Sequence, residues 1–279
     1  MTTKLTGMHV HLQEITLKLR ISLIKISSSC KIPHLGSCLS CLEILVYLYW
    51  AEMKIDPYNP NDLSRDKFIL SKGHASPALM QILAFKGFFS VEKLSEFGRD
   101  GSYFHEHPPK PGVIPGIEAA TGSLGHGLPM GIGMAIAQKI LNKHGRIYIL
   151  IGDGECNEGV IWEAAMLASS QRLGNVTVVI DFNKWQATGR SLEVMALDPL
   201  AKKWASFGWH TQEINGHDFI AIDRALAEAK SQEERPSVIV AHTVKGKGVS
   251  FMEDNNNWHY RTPNSQELDA ALSELESAK

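Results

Sequence analysis

The sequence predicts a doubly wound α/β fold, that is, a mostly parallel sheet with helices on both faces. The main observation is the stretch 147–189, which has the pattern of a strand, the turn Gly152-Asp153-Gly154, a helix, and a second apolar strand followed by Asn183. Strands that are apolar along their whole length are typical of parallel sheets, because both faces are covered. Strands and helices continue to alternate after this unit, as they do in doubly wound sheets.

The elements before this stretch are mainly helical. Apolar residues recur at helical spacing over residues 8–28, at Leu12, Ile15, Leu19, Leu23 and Ile26. The same kind of pattern predicts further helices at 37–53, 77–86 and 129–143, and a short strand at 67–70.

The later elements complete the alternation of strands and helices. Strands are predicted at 146–151, 176–181, 210–214 and 237–242, helices at 158–172 and 218–231, and a short charged helix in the tail 263–279. No internal repeat and no low-complexity linker interrupts the chain. A single domain over residues 1–279 is therefore predicted.

Composition excludes several classes of function. The chain has 279 residues, of which 44% are hydrophobic, and a formal net charge of −2 with a pI of about 6.6. No overall basic field calls for nucleic acid. No run reaches the roughly 20 apolar residues of a membrane span, and no signal peptide is visible, so we expect a cytoplasmic protein. Cys38 and Cys41 lie in an apolar helical pattern, so we interpret them as core residues.

The segment 98–129 is predicted to be a functional loop. It combines seven glycines, five prolines and three histidines, His105, His107 and His126. Loops of this length inside a compact chain are usually either functional or disordered. Because the glycines stand beside histidines, we favour a loop that belongs to a site.

The turn after the first strand of the central unit predicts a site for phosphate and a metal ion. Ligands of open parallel sheets bind beyond the carboxyl ends of the strands, where Asp153 and Asn183 both fall. Their oxygens suit Mg²⁺, which takes oxygen ligands and shares them with phosphates. The flanking glycines allow close approach of a phosphate, and a following helix offers free N–H groups to an anion.

These motifs resemble those of transketolases. Gly152-Asp153-Gly154 followed by Asn183 is similar to the thiamine-diphosphate signature, and 153–164 follows its transketolase form closely. Other segments agree in order and spacing with the same family: 65–74, which ends in Ser-Lys-Gly-His; 121–127; and 243–248 with His259. The resemblance covers nearly the whole chain and implies ketol transfer with thiamine diphosphate.

The resemblance extends over only half of a usual transketolase. In the family, the glutamate that contacts the aminopyrimidine and most residues that hold a sugar phosphate come from later domains. The chain is therefore similar to the N-terminal subunit of a split transketolase. The resemblance implies a separate C-terminal subunit, an α2β2 assembly, and sugar or sugar-phosphate substrates.

The resemblance also implies roles for individual residues. Asp153, Asn183 and the main-chain carbonyl of Trp185 correspond to metal ligands, for Mg²⁺ or alternatively Ca²⁺ or Mn²⁺. The cofactor contacts it implies are His74, Gly122, Ser123, Leu124, Gly154, Glu158, Asn183 and His259.

Histidines are the implied catalytic residues. His34, His107 and His259 match family positions near the substrate, although Pro33-His34-Leu35-Gly36 stands where the family has Gly-His-Pro-Gly. His105 competes with His107, and His126 replaces a glutamine of the family's loop. Making and breaking C–C bonds next to a hydroxyl or carbonyl group requires proton transfer near neutral pH, which imidazole can provide.

The sequence also predicts the positions of two acidic residues and allows two other functions. Glu158 and Glu163 are expected within the helix after the turn, at a dimer interface. The chain could instead be the cofactor-binding subunit of a 2-oxo-acid decarboxylase or dehydrogenase, which shares the Gly-Asp-Gly and Asn motif. A non-catalytic binding subunit is the third possibility, although Asp153, Asn183 and the histidines are all present.

Overall fold

The computed structural model describes residues 2–277 and contains a five-stranded sheet in which all neighbouring strands are parallel. The strand order is β1-β2-β3-β5-β4. This confirms the predicted doubly wound α/β fold. The strands are β1 (Lys67–Leu70), β2 (Ile147–Gly152), β3 (Val176–Phe182), β4 (His210–Asn215) and β5 (Ser237–His242).

Helices cover both faces of this sheet. Among the residues described, the α-helices are α1 (Thr2–Cys30), α2 (Leu35–Ser40), α3 (Leu42–Tyr47), α4 (Ser76–Lys86), α5 (Gly127–Ile140), α6 (Gly159–Ser170), α7 (Ser191–Val194), α8 (Leu200–Ser206), α9 (Phe219–Lys230) and α10 (Ser265–Ser277). Alternate strand residues enter two separate cores. Leu150 packs in the core that includes α1, α3 and α4, whereas Ile149 packs in the core that includes α5, α6 and α8.

The helix predicted over 37–53 is wrong as one element. It is divided into α2, α3 and a π-helical turn at Leu48–Glu52. The break between α2 and α3 lies beside Ser40, whose hydroxyl donates to the buried Asp181 carboxylate over 2.6 Å. Cys38 and Cys41 are free and fully buried here, which confirms the interpretation of core cysteines.

Other element boundaries differ near the loops. The helix predicted at 129–143 begins two residues earlier, at Gly127, where a Cβ atom would lie only 2.5 Å from Ser71. The predicted helix 158–172 is α6, and the chain reaches it from Asp153 through a 3-10 turn at Gly154–Asn157. The sequence patterns did not predict α7 and α8, which have only 4 and 7 residues.

The parallel arrangement brings four strand ends to one edge of the sheet. Register pairs Leu70 with Leu150, Gly152 with Asp181, and Phe182 with His242. The polar residues that follow these strands therefore converge on the same edge, as expected for parallel strands. They are Ser71 and Lys72 after β1, Asp153 after β2, Asn183 after β3, and Thr243 and Lys245 after β5.

A buried ion pair joins three of these strand ends. Asp181, in β3, accepts hydrogen bonds from Lys72, Thr243 and Ser40, and both charged side chains are at most 1% exposed. Burial alone would lower the pKa of Lys72, but the Asp181 carboxylate outweighs it and raises that pKa. Burial would likewise raise the pKa of Asp181, and the Lys72 ammonium holds it below its usual value.

We predict that Lys72→Met destabilises the fold strongly. Removing one partner leaves an uncompensated buried carboxylate, which typically costs about 3–5 kcal/mol. The free energy of unfolding from urea titrations measures the effect.

Arg172→Met is the matched control, because it removes an arginine from an ion pair whose side chains are 68% and 71% exposed. Exposed pairs contribute about 0–1 kcal/mol. An equal decrease in the free energy of unfolding in both variants would contradict the structural role of the buried pair.

Candidate functional site

A cavity of about 390 Å³ opens at the edge of the sheet where the strand ends converge. Its wall includes residues from the ends of β2 and β3, from the loop before α5, and from the segment that follows β5. The sequence-predicted site residues that line it are His34, His74, His107, Gly122, Leu124, Asp153, Gly154, Glu158, Asn183, Trp185 and His259.

Three residues considered as cofactor or substrate contacts do not line this cavity. Ser123 is exposed in the loop between Gly122 and Leu124. His126 is exposed at the N-terminus of α5, where its Nδ1 lies 3.1 Å from the carbonyl oxygen of Leu124. His105 is also exposed. Of the three loop histidines, His107 is therefore the one that the structure brings to the cavity.

Asp153 has a carboxylate that is almost completely buried at the cavity floor. Its Oδ1 accepts a hydrogen bond from the Gly154 N–H at 2.9 Å. Its Oδ2 accepts bonds from the Lys184 N–H at 2.9 Å and the Ser191 hydroxyl at 2.8 Å. Burial raises the pKa of Asp153 to about 6, and these donors oppose that shift.

Asn183 has an amide whose orientation is set by two contacts. The Nδ2 group donates to Asp181 over 3.1 Å, and Oδ1 accepts from the Trp185 N–H at 3.1 Å. The two carboxylate oxygens of Asp153 and the amide oxygen of Asn183 thus lie at the ends of neighbouring strands, as predicted. In residues 2–277 no cluster of three or more His, Cys, Asp and Glu side chains is arranged to hold a metal ion.

Glycines allow the loops around the cavity to approach closely. Gly125 has φ of +84°, and a Cβ atom there would lie 2.8 Å from the Cβ of Glu158. A Cβ atom on Gly154 would lie 2.7 Å from Cγ of Gln186. The backbone in these two places is therefore packed without room for a side chain. The N–H of Gly154 donates to Asp153, and that of Gly125 donates to Glu155.

Three imidazoles form a cluster on one wall. The ring centroid of His34 lies 5.4 Å from that of His74 and 5.0 Å from that of His259. His34 has φ of +66°, which is uncommon for a residue other than glycine. Its N–H donates to the His259 carbonyl oxygen over 2.8 Å, which ties the two segments together.

These imidazoles are neutral at physiological pH. Burial, followed by the charges of His107, Lys245 and Lys72, lowers the pKa of His34 to about 4. Burial and the charge of Lys245 lower the pKa of His259 to about 3, and the pKa of His74 is also well below its usual value. The cluster therefore offers neutral hydrogen-bonding groups to the cavity.

Lys245 determines which nitrogen of His259 carries the proton. Lys245 Nζ lies 2.8 Å from Nδ1 of His259 and 2.8 Å from Oδ1 of Asn256. When Lys245 is protonated, its ammonium group can only donate, so Nδ1 accepts and Nε2 carries the ring proton. In that state His259 is a donor through Nε2.

Sequence reasoning missed four buried charged residues of this site: Lys72, Glu155, Asp181 and Lys245. The carboxylate of Glu155 accepts hydrogen bonds from the Ser71 hydroxyl, the Gly125 N–H at 2.7 Å and the Gly152 N–H at 3.0 Å. It therefore fixes the loop before α5 against the ends of β1 and β2. The sequence contains one signal for such residues, namely a charged residue inside a strongly apolar run, such as Asp181 in β3.

Glu163 lies inside the helix as expected, whereas Glu158 does not. Glu158 precedes α6 as its N-terminal cap residue, is exposed, and reaches the cavity wall. Glu163 is exposed on α6 and does not line the cavity. The helix starts one residue later than its sequence pattern indicated, because Glu158 has an extended backbone between the 3-10 turn and α6.

Three buried polar atoms of the cavity wall lack a hydrogen-bond partner among the described residues. They are Nδ1 of His34, Oδ1 of Asn157 and Nε2 of Gln186. Leaving such groups unpaired is costly, about 1–3 kcal/mol each. A bound polar ligand that reaches them removes this cost, so the cavity fits a ligand with several polar groups.

Lys245 predicts a pH-dependent contribution to stability. Burial, and then repulsion by Lys72, lowers its pKa from 10.5 to about 7 in the folded chain. Between these two pH values the unfolded state binds more protons, so the free energy of unfolding rises with pH. Relative to Lys245→Met, we expect the wild type to gain on the order of a few kcal/mol across this window.

Urea unfolding below pH 7, and at several pH values from 7 to 10.5, measures this difference. Lys143→Met removes an exposed lysine and serves as the matched control. A difference between wild type and Lys245→Met that stays constant over this window would contradict the prediction.

Comparison with known proteins shows similarity over almost the whole chain. Residues 13–275 match the family described as transketolase, thiamine diphosphate binding domain. The apulose-4-phosphate transketolase subunit from Phocaeicola vulgatus is 40% identical over 258 residues, which cover 92% of this chain and 91% of that protein. The 6-deoxy-6-sulfo-D-fructose transketolase subunit SqwG of Clostridium sp. is 43% identical over 245 residues, which cover 88% and 89%.

Solved structures give the same result for the fold. Transketolase from Leishmania mexicana superposes with a TM-score of 0.89 at 27% identity and covers 95% of this chain. Transketolase from Campylobacter jejuni superposes with a TM-score of 0.89 at 30% identity, also over 95% of this chain. The chain spans only 41% and 42% of the lengths of these two structures. Across residues 2–277, no helix has both the length and the apolar character needed to cross a bilayer.

Proposed function

The chain belongs to the transketolase family, and we propose that it is the cofactor-binding subunit of a two-component transketolase. The observation that carries this proposal is the convergence of Asp153, Asn183 and four histidines on one cavity. The two relatives that match over about nine tenths of both chains are named as transketolase subunits, which supports the two-component arrangement. We propose further that residues 1–279 form a single diphosphate-binding domain.

Thiamine diphosphate fits the donor set of the cavity. Asp153, Asn183 and the carbonyl of Trp185 are oxygen donors of the kind that Mg²⁺, or Ca²⁺ and Mn²⁺, accept together with phosphate oxygens. The N–H of Gly154 and the rings of His74 and His259 are donors suited to a diphosphate. The cofactor, when bound, supplies the electron sink for C–C bond chemistry.

The remaining cavity residues are proposed to position cofactor and substrate. The segment from Gly122 to Leu124 is the proposed contact for the cofactor rings, although Ser123 would have to turn inward from its exposed position. Glu158, at the cavity wall, is a further proposed contact. His34, His107 and His259 are proposed to donate and accept hydrogen bonds at substrate oxygens.

A partner subunit is proposed to complete the site. The adjacent helices α5 and α6 expose large apolar side chains, which typically mark a protein interface when they form a patch. These are Met130, Ile140, Met166 and Leu167, between 40% and 74% exposed. Glu158 precedes α6 and Glu163 is exposed on it. We propose the exposed side of α5 and α6 as the contact surface in an α2β2 assembly, with these two glutamates at the contact.

The substrates are proposed to be ketoses as donors and aldoses as acceptors. The two similar subunits are named for apulose 4-phosphate and for 6-deoxy-6-sulfo-D-fructose, both of which are ketoses with an anionic end. We propose a ketose of this kind, with the anionic group bound mainly by the partner. The chain's own role is to hold the cofactor and to orient the oxygens next to the reacting carbon.

We predict that Asp153→Asn weakens the binding of thiamine diphosphate with Mg²⁺ by at least about tenfold, since an amide replaces the one carboxylate of the proposed metal site. Isothermal titration of the purified chain with cofactor and Mg²⁺ measures the change. Asp100→Asn, at an exposed position, is the control. Equal affinities for Asp153→Asn and the wild type would refute the metal assignment.

We also predict that ketol transfer requires the partner. The chain alone is expected to turn over less than about a hundredth as fast as the complex, because removing a catalytic group commonly costs about 10²–10⁴-fold. Assays of a ketose phosphate, a sulfonated ketose and pyruvate, with and without a purified candidate partner subunit, measure this. Full turnover by the chain alone would rule out the two-component arrangement, and pyruvate decarboxylation without ketol transfer would favour a 2-oxo-acid enzyme.

A further inference from the structure

The residues 184–191 form a hairpin whose inner side borders the cavity. The Ser191 N–H donates to the Lys184 carbonyl oxygen over 3.0 Å, and the Gln186 N–H donates to Gly189 over 2.8 Å. Both ends of the hairpin are anchored on Asp153, through the bonds from Lys184 and Ser191. Four consecutive residues of the hairpin, 185–188, line the cavity. The position of this hairpin therefore sets the width of the cavity mouth.

Three side chains hold the free side of the hairpin. The Arg190 guanidinium lies over the Trp185 ring, 3.9 Å from its centroid. It also donates two hydrogen bonds to the two oxygens of Asp254, each 2.6 Å long. The Trp185 Nε1–H donates to Oδ1 of the same carboxylate over 2.8 Å. Asp254 thus binds both strands of the hairpin at once.

Asp254 belongs to the segment that carries His259. Its own N–H donates to the Lys245 carbonyl oxygen over 2.8 Å, and its backbone is left-handed with φ of +55°. Two residues later, the Asn256 side chain donates to the Ala187 carbonyl oxygen over 3.1 Å and accepts from Lys245. The hairpin is therefore connected across the mouth to the histidine wall of the cavity.

These contacts have the properties of a closure that can open. The side chains of Arg190 and Asp254 are 34% and 53% exposed, and a single exposed ion pair contributes little. A bidentate guanidinium–carboxylate pair with an added cation–π contact holds a more definite geometry. Such a contact holds the hairpin in the closed position. Because the ion pair is exposed, opening the hairpin does not leave a buried charge without a partner.

We propose that Trp185, Arg190 and Asp254 form a clasp that holds the hairpin over the cavity mouth and slows the release of bound cofactor. The three are positioning residues, since they act through the hairpin backbone. The part of the proposal that concerns the cofactor rests on the proposed function, whereas closure of the hairpin does not.

Trypsin cleavage of the Lys184–Trp185 bond tests the closure in the chain without cofactor. Asp254→Asn removes one charge of the clasp, and Arg190→Lys keeps the charge but loses the bidentate and stacked geometry. We expect both variants to speed cleavage of this bond by about three- to tenfold, because the hairpin opens more often. Mass spectrometry of the products over time measures the rate. Cleavage within twofold of the wild type in both variants would overturn the clasp.

The rate at which thiamine diphosphate and Mg²⁺ leave the loaded chain tests the consequence. Displacement by excess unlabelled cofactor should be about three- to tenfold faster in both variants. Glu234→Gln removes the acidic partner of an exposed ion pair elsewhere and should change neither rate. Faster cleavage with an unchanged rate of cofactor release would contradict the proposal that the clasp slows release. If the wild type does not bind the cofactor, the proposed function is contradicted. The cleavage rates then test the clasp by themselves.

Discussion

The buried pair of Lys72 and Asp181 is the constraint on which the site depends. Both side chains are inaccessible to water, and the Asp181 carboxylate also binds Ser40, Thr243 and Asn183. A buried charge without a partner is strongly destabilising, so these groups have to stay together once the sheet forms. Because they lie at the ends of β1, β3 and β5 and next to α2, they fix the edge where the cavity opens.

Above this pair, the cavity combines a charged floor with neutral walls. Asp153 and Glu155 are held by backbone N–H groups and hydroxyls, while His34, His74 and His259 are kept uncharged by burial and nearby positive charges. Neutral imidazoles with fixed orientation can donate to oxygens without attracting counterions. The contact of His259 with Lys245 is an example, since protonated Lys245 places the ring proton of His259 on Nε2. The exposed apolar side chains of α5 and α6 lie on the surface that we propose for the second subunit.

Much of the site could be predicted from the sequence because its motifs are local. A strand followed by Gly152-Asp153-Gly154, and a second strand followed by Asn183, places two oxygen donors side by side by the geometry of parallel strands alone. His34, His107 and His259 were found through motif resemblance. The sequence was insufficient where position depends on local backbone or on distant packing. Glu158 is extended and precedes α6, and of the loop histidines left as alternatives His107 lines the cavity whereas His126 does not.

By itself, the sequence determined the α/β class, the order of the strands and the longer helices, and the pair Asp153 and Asn183, because periodicity and the ends of strands are local features. Only the tertiary structure decided which of the charged residues are partners, which histidine faces the cavity, and that Trp185, Arg190 and Asp254 meet. Asp181 and Lys72 are 109 residues apart, and Arg190 and Asp254 are 64 apart. Contacts of that separation leave no periodic signal in a single sequence, since they follow from how the sheet brings the strand ends together.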